Sequence, residues 1–173
     1  YNSLSPQIVI DVGGGSTEFI LGDKAQLSWS SSLQLGCVSA TEAFVKTEPI
    51  SAESFEALRE HVAETLKTQL RPLQDRPFER VIAVAGTPTT LAALEVGGFS
   101  EEKVQGFCLT TKTLDHWIKT LKPLSTKERV VRLGLPESRA DVLLAGAIIL
   151  SESLKFLKKD KMIVSTKGVR YGL

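Results

Sequence analysis

The chain has 173 residues, a formal net charge of +1, 42% apolar residues and 24% charged residues. This length is enough for one domain that buries a core without support from a metal or a disulfide. The balanced charge excludes a general attraction to nucleic acid or to a membrane surface, and no apolar run reaches the ~18 residues that a membrane span needs. We therefore expect a soluble single domain over residues 1–173.

The cysteines indicate the cellular compartment of this domain, and the first residue indicates whether the chain is part of a longer protein. Cys37 and Cys108 lie far apart and lack the spacing of a zinc site or of a disulfide framework. This pattern favours a reducing cytoplasm. The chain begins at Tyr1 with no signal-like segment, so we expect it to be part of a longer protein.

Residues 8–22 predict a β-hairpin with a glycine-rich turn. Residues 8–12 and 19–21 have the β-branched and aromatic composition of buried strands, and Gly13, Gly14 and Gly15 lie between them. Glycines permit positive φ and let backbone N–H groups come close to a ligand. Three glycines are also common in a simple tight hairpin.

Polar residues at both ends of the turn favour an anion site over a simple hairpin. Asp11 closes the first strand, and Ser16, Thr17 and Glu18 open the second. Carboxylates at this position could hold hydrated Mg²⁺, while hydroxyls and backbone N–H groups could bind phosphate. The segment is therefore a candidate phosphate clamp.

The next elements alternate between strands and helices. Residues 26–35 predict a third strand and residues 38–45 a helix, and Ser51 is a candidate N-cap for an amphipathic helix that ends before Pro72. Residues 81–85 predict a short strand. Gly86, Thr87 and Thr90 belong to a turn that leads from this strand into a helix at residues 91–96, which predicts a second anion site.

The last third of the chain is predicted to be mainly helical. Residues 104–109 are typical of a minor strand or an extended link, residues 113–121 of a helix, and Ser125 with Glu128 of a capping box. Residues 139–157 are predicted to form the longest helix, in which Arg139 has a structural role, and residues 162–165 the last strand.

This order of elements predicts an α/β domain of the ribonuclease H-like plan. The first three strands form a meander and the later strands follow helical crossovers, so we expect a mixed five-stranded sheet with helices on both faces. The glycine hairpin, the turn at Gly86 and the turn after Ser165 would then lie along one edge of the sheet, where ligands of open α/β sheets bind.

Several blocks of the sequence together resemble the exopolyphosphatase and guanosine pentaphosphate phosphohydrolase (Ppx/GppA) family of the actin-like ATPase superfamily. The matching blocks are residues 9–18, 32–36, 84–92, 139–150 and 165–170. Their common order across nearly the whole chain makes the resemblance specific, whereas a single glycine-rich turn would be weak.

The resemblance implies that the chain is the C-terminal half of a two-domain phosphatase module whose N-terminal half is absent. The active site of this family lies between the two domains, and the absent domain carries a glutamate that is thought to be the general base. The resemblance assigns catalytic and metal-binding roles to Asp11 and Glu18, with Mg²⁺ as cofactor. It assigns phosphate binding to a larger set: Gly13, Gly14, Gly15, Ser16, Gly86, Thr87 and Thr90.

The implied activity is hydrolysis of terminal phosphoanhydride bonds. The substrate would be inorganic polyphosphate or a guanosine pentaphosphate-type nucleotide, and the isolated domain is expected to be inactive. The alternatives are a non-catalytic polyphosphate or alarmone sensor and an ATP-dependent kinase of the superfamily. Partners would be the absent domain and a second copy of the full-length protein, with no nucleic acid and no membrane.

Overall fold

The computed structural model describes residues 5–23 and 26–168 as an α/β domain with one mixed sheet. The strands are β1 (Gln7–Val12), β2 (Thr17–Asp23), β3 (Gln26–Leu33), β4 (Arg80–Val84), β5 (Cys108–Thr110) and β6 (Lys161–Val164). Their order across the sheet is β3-β2-β1-β4-β6-β5. The pairs β1–β4 and β4–β6 are parallel, whereas β1–β2, β2–β3 and β5–β6 are antiparallel.

Eight helices connect the strands in the described part of the chain. They are α1 (Cys37–Phe44), α2 (Ala52–Gln69), α3 (Gly86–Glu95), α4 (Glu101–Val104), α5 (Thr111–Leu121), α6 (Thr126–Leu133), α7 (Glu137–Ala140) and α8 (Leu143–Phe156), with a short 3₁₀ turn at Arg71–Leu73 after α2. The predicted N-cap at Ser51 and the capping box of Ser125 with Glu128 are both confirmed.

The two faces of the sheet differ in how completely they are covered. Ile8 and Ile10 of β1 are fully buried, and α8 packs against this strand. Val9 lies on the opposite face beside Ile82, where both residues line an open cavity of about 370 Å³. The main helical layer therefore covers the first face, and the second face is partly open.

Helix α8 is the centre of the core. Each of its residues from Leu143 to Leu154 is buried, and α8 contacts α1, α2, α3 and α5 as well as β1. A helix that is apolar on all sides needs partners on all sides, so its sequence requires this central position.

The α/β class and the ribonuclease H-like order are as predicted, but the number of strands is not. The sheet has six strands because Cys108–Thr110 adds an antiparallel edge strand to β6. Residues 104–109, predicted to be a minor strand or an extended link, include the end of α4 and the start of β5. Residues 86–90, which were predicted to be a turn, form the first turn of α3, where Pro88 is tolerated because it needs no N–H acceptor.

The predicted single helix over residues 139–157 is wrong. It is divided into α7 and α8, and α2, with 18 residues, is the longest helix of the described chain. The guanidinium of Arg129 donates to the carbonyl oxygen of Ala140 over 2.8 Å, at the point where α7 ends. A buried cation from another helix therefore takes an acceptor that a continuous helix would use for its own N–H groups.

None of the helices in the described part of the chain is long and apolar enough to cross a membrane.

Arg129 is expected to be a main determinant of stability. Its buried guanidinium also donates to the carbonyl oxygen of Leu121, with Nη2 at 3.0 Å. Replacing Arg129→Met leaves two carbonyl groups without this donor and should lower the free energy of unfolding by about 2–4 kcal/mol.

Urea unfolding of the 173-residue chain measures this loss, with Arg132→Met as the matched control. Arg132 lies one turn later on α6, is 62% exposed and pairs with Glu128, so its replacement should cost less than about 1 kcal/mol. Equal losses in the two variants would contradict the structural role of Arg129.

Candidate functional site

The glycine loop joins β1 to β2 in a closed hairpin. Val12 pairs with Thr17, and the N–H group of Gly13 donates to the carbonyl oxygen of Ser16 over 2.9 Å. Positive φ among the described glycines occurs elsewhere, at Gly97, Gly98, Gly106 and Gly134. One of the two predicted reasons for the loop glycines, their freedom to adopt positive φ, is therefore wrong, and the other, close approach of backbone N–H groups to a ligand, stays a prediction.

Close packing against α1 explains two glycines of this region instead. A Cβ atom on Gly36, the N-cap of α1, would lie 2.1 Å from the carbonyl oxygen of Gly14, and one on Gly14 would lie 3.3 Å from the side chain of Val38. A Cβ on Gly15 would meet nothing within 4 Å. Glycine is thus needed here because two backbone segments come close together, and the backbone angles themselves do not require it.

The loop uses its carbonyl groups to cap α1. The N–H of Cys37 donates to the carbonyl oxygen of Gly13, and the N–H groups of Val38 and Ser39 donate to that of Gly14, at 2.9–3.1 Å. The first-turn donors of α1 are therefore occupied and do not face a ligand as they do at many helix N-termini.

The N–H groups left for an anion are those of the loop itself. Gly14, Gly15 and Ser16 donate no backbone hydrogen bond to any described residue, and the two glycines are exposed. Gly13 was also predicted to donate to phosphate, but its N–H is already bonded within the loop. Three consecutive unpaired N–H groups are a suitable cradle for phosphate oxygens.

Asp11 and Glu18 lie directly opposite each other at the end of the hairpin. They are paired residues of β1 and β2, so their side chains share one face of the sheet. Burial raises the pKa of Asp11, and the negative charge of Glu18 raises it further. The structure thus brings together the two carboxylates that the sequence predicted.

Two serine hydroxyls hold the carboxylate of Glu18. Ser16 Oγ donates to Glu18 Oε1 over 2.6 Å, and Ser32 Oγ donates to the same oxygen over 2.7 Å. Such short distances are typical of hydrogen bonds to an ionised acceptor. Glu18 Oε2 accepts no hydrogen bond from the described residues.

The pair of carboxylates can supply oxygen ligands to a divalent cation. Asp11 and Glu18 repel each other, and a bound cation would relieve this repulsion. The described residues contain no group of three or more His, Cys, Asp or Glu side chains that could hold a metal. Mg²⁺ is commonly held by one or two carboxylates, with waters and substrate phosphates completing its ligands, so the residues fit this ion.

The second predicted anion site lies where β4 passes into α3. Ala85, between them, has φ 77° and ψ −170°, a conformation that is almost restricted to glycine and that often marks functional sites. The N-terminus of α3 has no side-chain cap. Its first N–H groups are thus available to an anion.

Arg139, for which the sequence favours a structural role, is a functional candidate in the folded chain. A Cβ atom on Gly86 would lie 2.2 Å from its Nη1, so the guanidinium lies directly against the first residue of α3. Arg139 is exposed and forms no ion pair with a described residue. An unpaired guanidinium at a helix N-terminus is suited to bind a phosphoryl group.

The two threonines of this turn have different surroundings. Thr87 is buried, and its hydroxyl would lie 2.6 Å from a Cβ on Gly146, so its side chain packs α3 against α8. Thr90 is half-buried and lines a cavity of about 740 Å³ together with Gly86, Phe99 and Arg139. The predicted phosphate-binding role of the Thr87 side chain is therefore less compatible with the structure than that of Thr90.

A chain of contacts joins the two turns into one site. The N–H group of Cys37 donates to the loop carbonyl of Gly13, and its thiol lies within hydrogen-bonding reach of Thr87. Burial raises the pKa of the Cys37 thiol, whereas a hydrogen bond with Thr87 and the charge of Arg139 act in the opposite direction. In addition, Asp11 pairs with Val84, two residues before Gly86. The predicted gathering of both turns at one sheet edge is confirmed; residues 169–170 of the predicted closing turn lie outside the described residues.

Comparison with known proteins identifies relatives of this arrangement. Residues 2–173 match the model of the Ppx/GppA phosphatase family. Exopolyphosphatase 2 of Mycobacterium tuberculosis is 29% identical over 175 residues, which cover 98% of this chain and 54% of that protein. The bifunctional 3-dehydroquinate synthase/phosphatase of Fusobacterium nucleatum is 34% identical over 164 residues, which cover 91% of this chain and 24% of that protein.

A third relative and a solved structure agree with these matches. The guanosine-5'-triphosphate,3'-diphosphate pyrophosphatase of Vibrio parahaemolyticus is 29% identical over 167 residues, covering 96% of this chain and 33% of that protein. The crystal structure of the Aquifex aeolicus member of the Ppx/GppA protein family is 34% identical, with a TM-score of 0.91 over 98% of this chain and 55% of that chain. The chain thus spans from about a quarter to about half of its curated relatives.

The contact between Gly36 and the glycine loop gives a stability prediction. Replacing Gly36→Ala pushes a methyl group against the carbonyl oxygen of Gly14, and such overpacking should cost about 1–3 kcal/mol. Gly15→Ala is the matched control, because its methyl group meets open space. Urea unfolding should therefore separate the two variants, and equal stabilities would show that the loop does not pack on α1 in this way.

The raised pKa of Asp11 predicts the pH dependence of stability. The folded-state pKa lies above the unfolded value of 3.8, so the ionised carboxylate disfavours folding at neutral pH. Without divalent cations, Asp11→Asn should be more stable than the wild-type chain at pH 7. Thermal unfolding at a series of pH values should show this difference shrinking as the pH falls towards 3.8, and a difference that grows on acidification would contradict the prediction.

Proposed function

The chain belongs to the Ppx/GppA phosphatase family, and from this premise we propose that it forms one half of a phosphoanhydride-hydrolysing site in a longer protein. The substrate is inorganic polyphosphate or guanosine pentaphosphate, from which the terminal phosphoryl group is released as orthophosphate. The proposal rests on the three consecutive unpaired N–H groups of Gly14, Gly15 and Ser16, which lie beside the carboxylates of Asp11 and Glu18.

Hydrolysis requires that the terminal phosphoryl group is held while its charge is neutralised. The loop N–H groups bind its oxygens, and Arg139 with the N-terminus of α3 binds the next phosphoryl group of the chain. A water oxygen then attacks the terminal phosphorus as the bridging P–O bond breaks, and the shortened chain leaves with the bonding electron pair. Positioning and charge stabilisation supply most of the catalysis in such reactions.

Glu18 is suited to orient the attacking water. Its Oε1 is already held by two serine hydroxyls, so its Oε2 is the oxygen that accepts a hydrogen bond from water. The absent domain contributes the general base in this proposal. Asp11 and Glu18 would also hold Mg²⁺, which, when bound, withdraws charge from the phosphate oxygens.

The isolated chain is expected to show little turnover. It spans about half of the exopolyphosphatase relative and carries one wall of the proposed cleft. The full-length parent should release phosphate with Mg²⁺ from long-chain polyphosphate or from guanosine pentaphosphate. Release by the parent alone supports the proposal, whereas binding without release would favour a sensor, and phosphate transfer from ATP to a small molecule would favour a kinase.

The cavity beside Gly86 has room for parts of the substrate beyond the phosphoryl groups bound at the two turns. About 740 Å³ of space lies between α3 and the segment before Arg139, lined in part by Phe99 and Leu135. This is ample for a nucleoside or for further phosphates of a chain. Comparing kcat/KM for the two substrates in the parent decides which of them the cavity serves.

The setting proposed for the parent is the cytoplasm. Cys37 and Cys108 are both free thiols in the described structure, as expected for a reducing compartment. A homodimer of the full-length protein would form through parts outside this chain.

Replacing Glu18→Gln in the full-length parent tests its role. Loss of the carboxylate should lower kcat about 10²- to 10⁴-fold if Glu18 orients water or takes its proton. Glu60→Gln is the matched control, because Glu60 is exposed on α2, away from the site, and should leave kcat unchanged. Normal turnover of the Glu18→Gln parent would remove Glu18 from the mechanism.

A further inference from the structure

We propose that Ser32 is a positioning residue that fixes the carboxylate of Glu18 in one orientation for the reaction. The inference rests on the proposed function, because it assigns Ser32 a task in that reaction. Ser32 does not contact the substrate in this proposal. It acts through Glu18 by occupying Oε1, so that Oε2 is the oxygen presented to water or to a cation.

The register of three adjacent strands places the residues in one row. Asp11 of β1 pairs with Glu18 of β2, and Glu18 pairs with Ser32 of β3. Directly paired residues point to the same face of a sheet. The row therefore runs from the half-buried carboxylate of Asp11, through Glu18, to the hydroxyl of Ser32, which donates to Glu18 from its other side.

Glu18 would otherwise have several orientations available. Its side chain has three rotatable bonds and is half-buried, and an unrestrained glutamate samples several rotamers. Hydrogen bonds of 2.6 and 2.7 Å from Ser16 and Ser32 meet at the same oxygen, Oε1. Two donors at one oxygen restrict both the position and the rotation of the carboxylate.

The two serines contribute differently because their backbones differ. Ser16 lies in the glycine loop, where its own N–H group has no backbone partner in the described structure, whereas Ser32 lies in β3, whose backbone is paired with β2. The strand pairing thus holds the Ser32 hydroxyl in a fixed position relative to Glu18. Its side chain is exposed, so removing the hydroxyl opens no cavity in the core.

Ser30 provides a matched control on the same strand. It lies two residues before Ser32, on the same face, and pairs with Ile20. It is equally exposed and donates no hydrogen bond to Glu18. A general effect of losing a surface hydroxyl from β3 should therefore appear equally in Ser30→Ala and Ser32→Ala.

The kinetic test uses the full-length parent with Ser32→Ala, Ser32→Thr and Ser30→Ala. Loss of a hydrogen bond to a charged group should lower kcat about tenfold in Ser32→Ala, with KM changed less than about twofold because the phosphate cradle is intact. Ser32→Thr keeps the hydroxyl and should restore kcat, and Ser30→Ala should match the wild type. In a Glu18→Gln background, Ser32→Ala should have no further effect.

Several results would overturn the inference. The first is a kcat of Ser32→Ala equal to that of Ser30→Ala. The second is a kcat that Ser32→Thr does not restore. The third is a further full loss of kcat when Ser32→Ala is added to Glu18→Gln. A wild-type parent that releases no phosphate would instead refute the proposed function. Crystal structures of the two alanine variants then decide the role of Ser32: Glu18 should adopt more than one conformer only in Ser32→Ala, and a single unchanged conformer in both variants overturns the inference.

Discussion

The contact between the glycine loop and the start of α1 is the constraint on which the site depends. The carbonyl groups of Gly13 and Gly14 cap α1, and this approach is possible only because Gly36 has no side chain at the point of contact. With the carbonyl groups turned towards the helix, the N–H groups of Gly14, Gly15 and Ser16 have no partner in the described structure and are free to bind an anion. One packing contact therefore determines which way the C=O and N–H groups of the loop point.

The same constraint brings the charged groups of the site together. Cys37, at the first position of α1, contacts the loop on one side and Thr87 on the other, so the capped helix separates and aligns the two turns. Helix α8 packs against the first turn of α3, because Gly146 leaves space for the buried side chain of Thr87. Asp11 and Glu18 lie opposite each other in the hairpin, where the negative charge of Glu18 raises the pKa of Asp11.

Local sequence patterns predicted which elements form the site, but they did not predict why particular residues, such as the glycines, are needed there. The hairpin, the carboxylates of Asp11 and Glu18 and the strand-to-helix passage at Gly86 all follow from composition and spacing along a single segment. The need for glycine at Gly36 could not be predicted, because it arises from a residue more than twenty positions earlier. Positive φ was the wrong explanation, since glycine is also selected where two backbones meet.

Long-range side-chain contacts explain the other failures of the sequence reasoning. The break between α7 and α8 depends on Arg129, a cation from a different helix that no periodicity within residues 139–157 reveals. Arg139 was assigned to a continuous helix for the same reason, and its place against Gly86 became evident only with the fold. The additional strand, β5, has three residues, too few for a clear alternation of apolar and polar side chains.

The central claim is that the loop N–H groups, and not those of α1, are available to bind phosphate. Amide NMR spectra of the isotope-labelled chain during a titration with tripolyphosphate test this claim most directly. We expect the amide signals of Gly14, Gly15 and Ser16 to shift, while those of Val38 and Ser39 change little. Large shifts confined to Val38 and Ser39, or no shift in the loop at saturating tripolyphosphate, would contradict it.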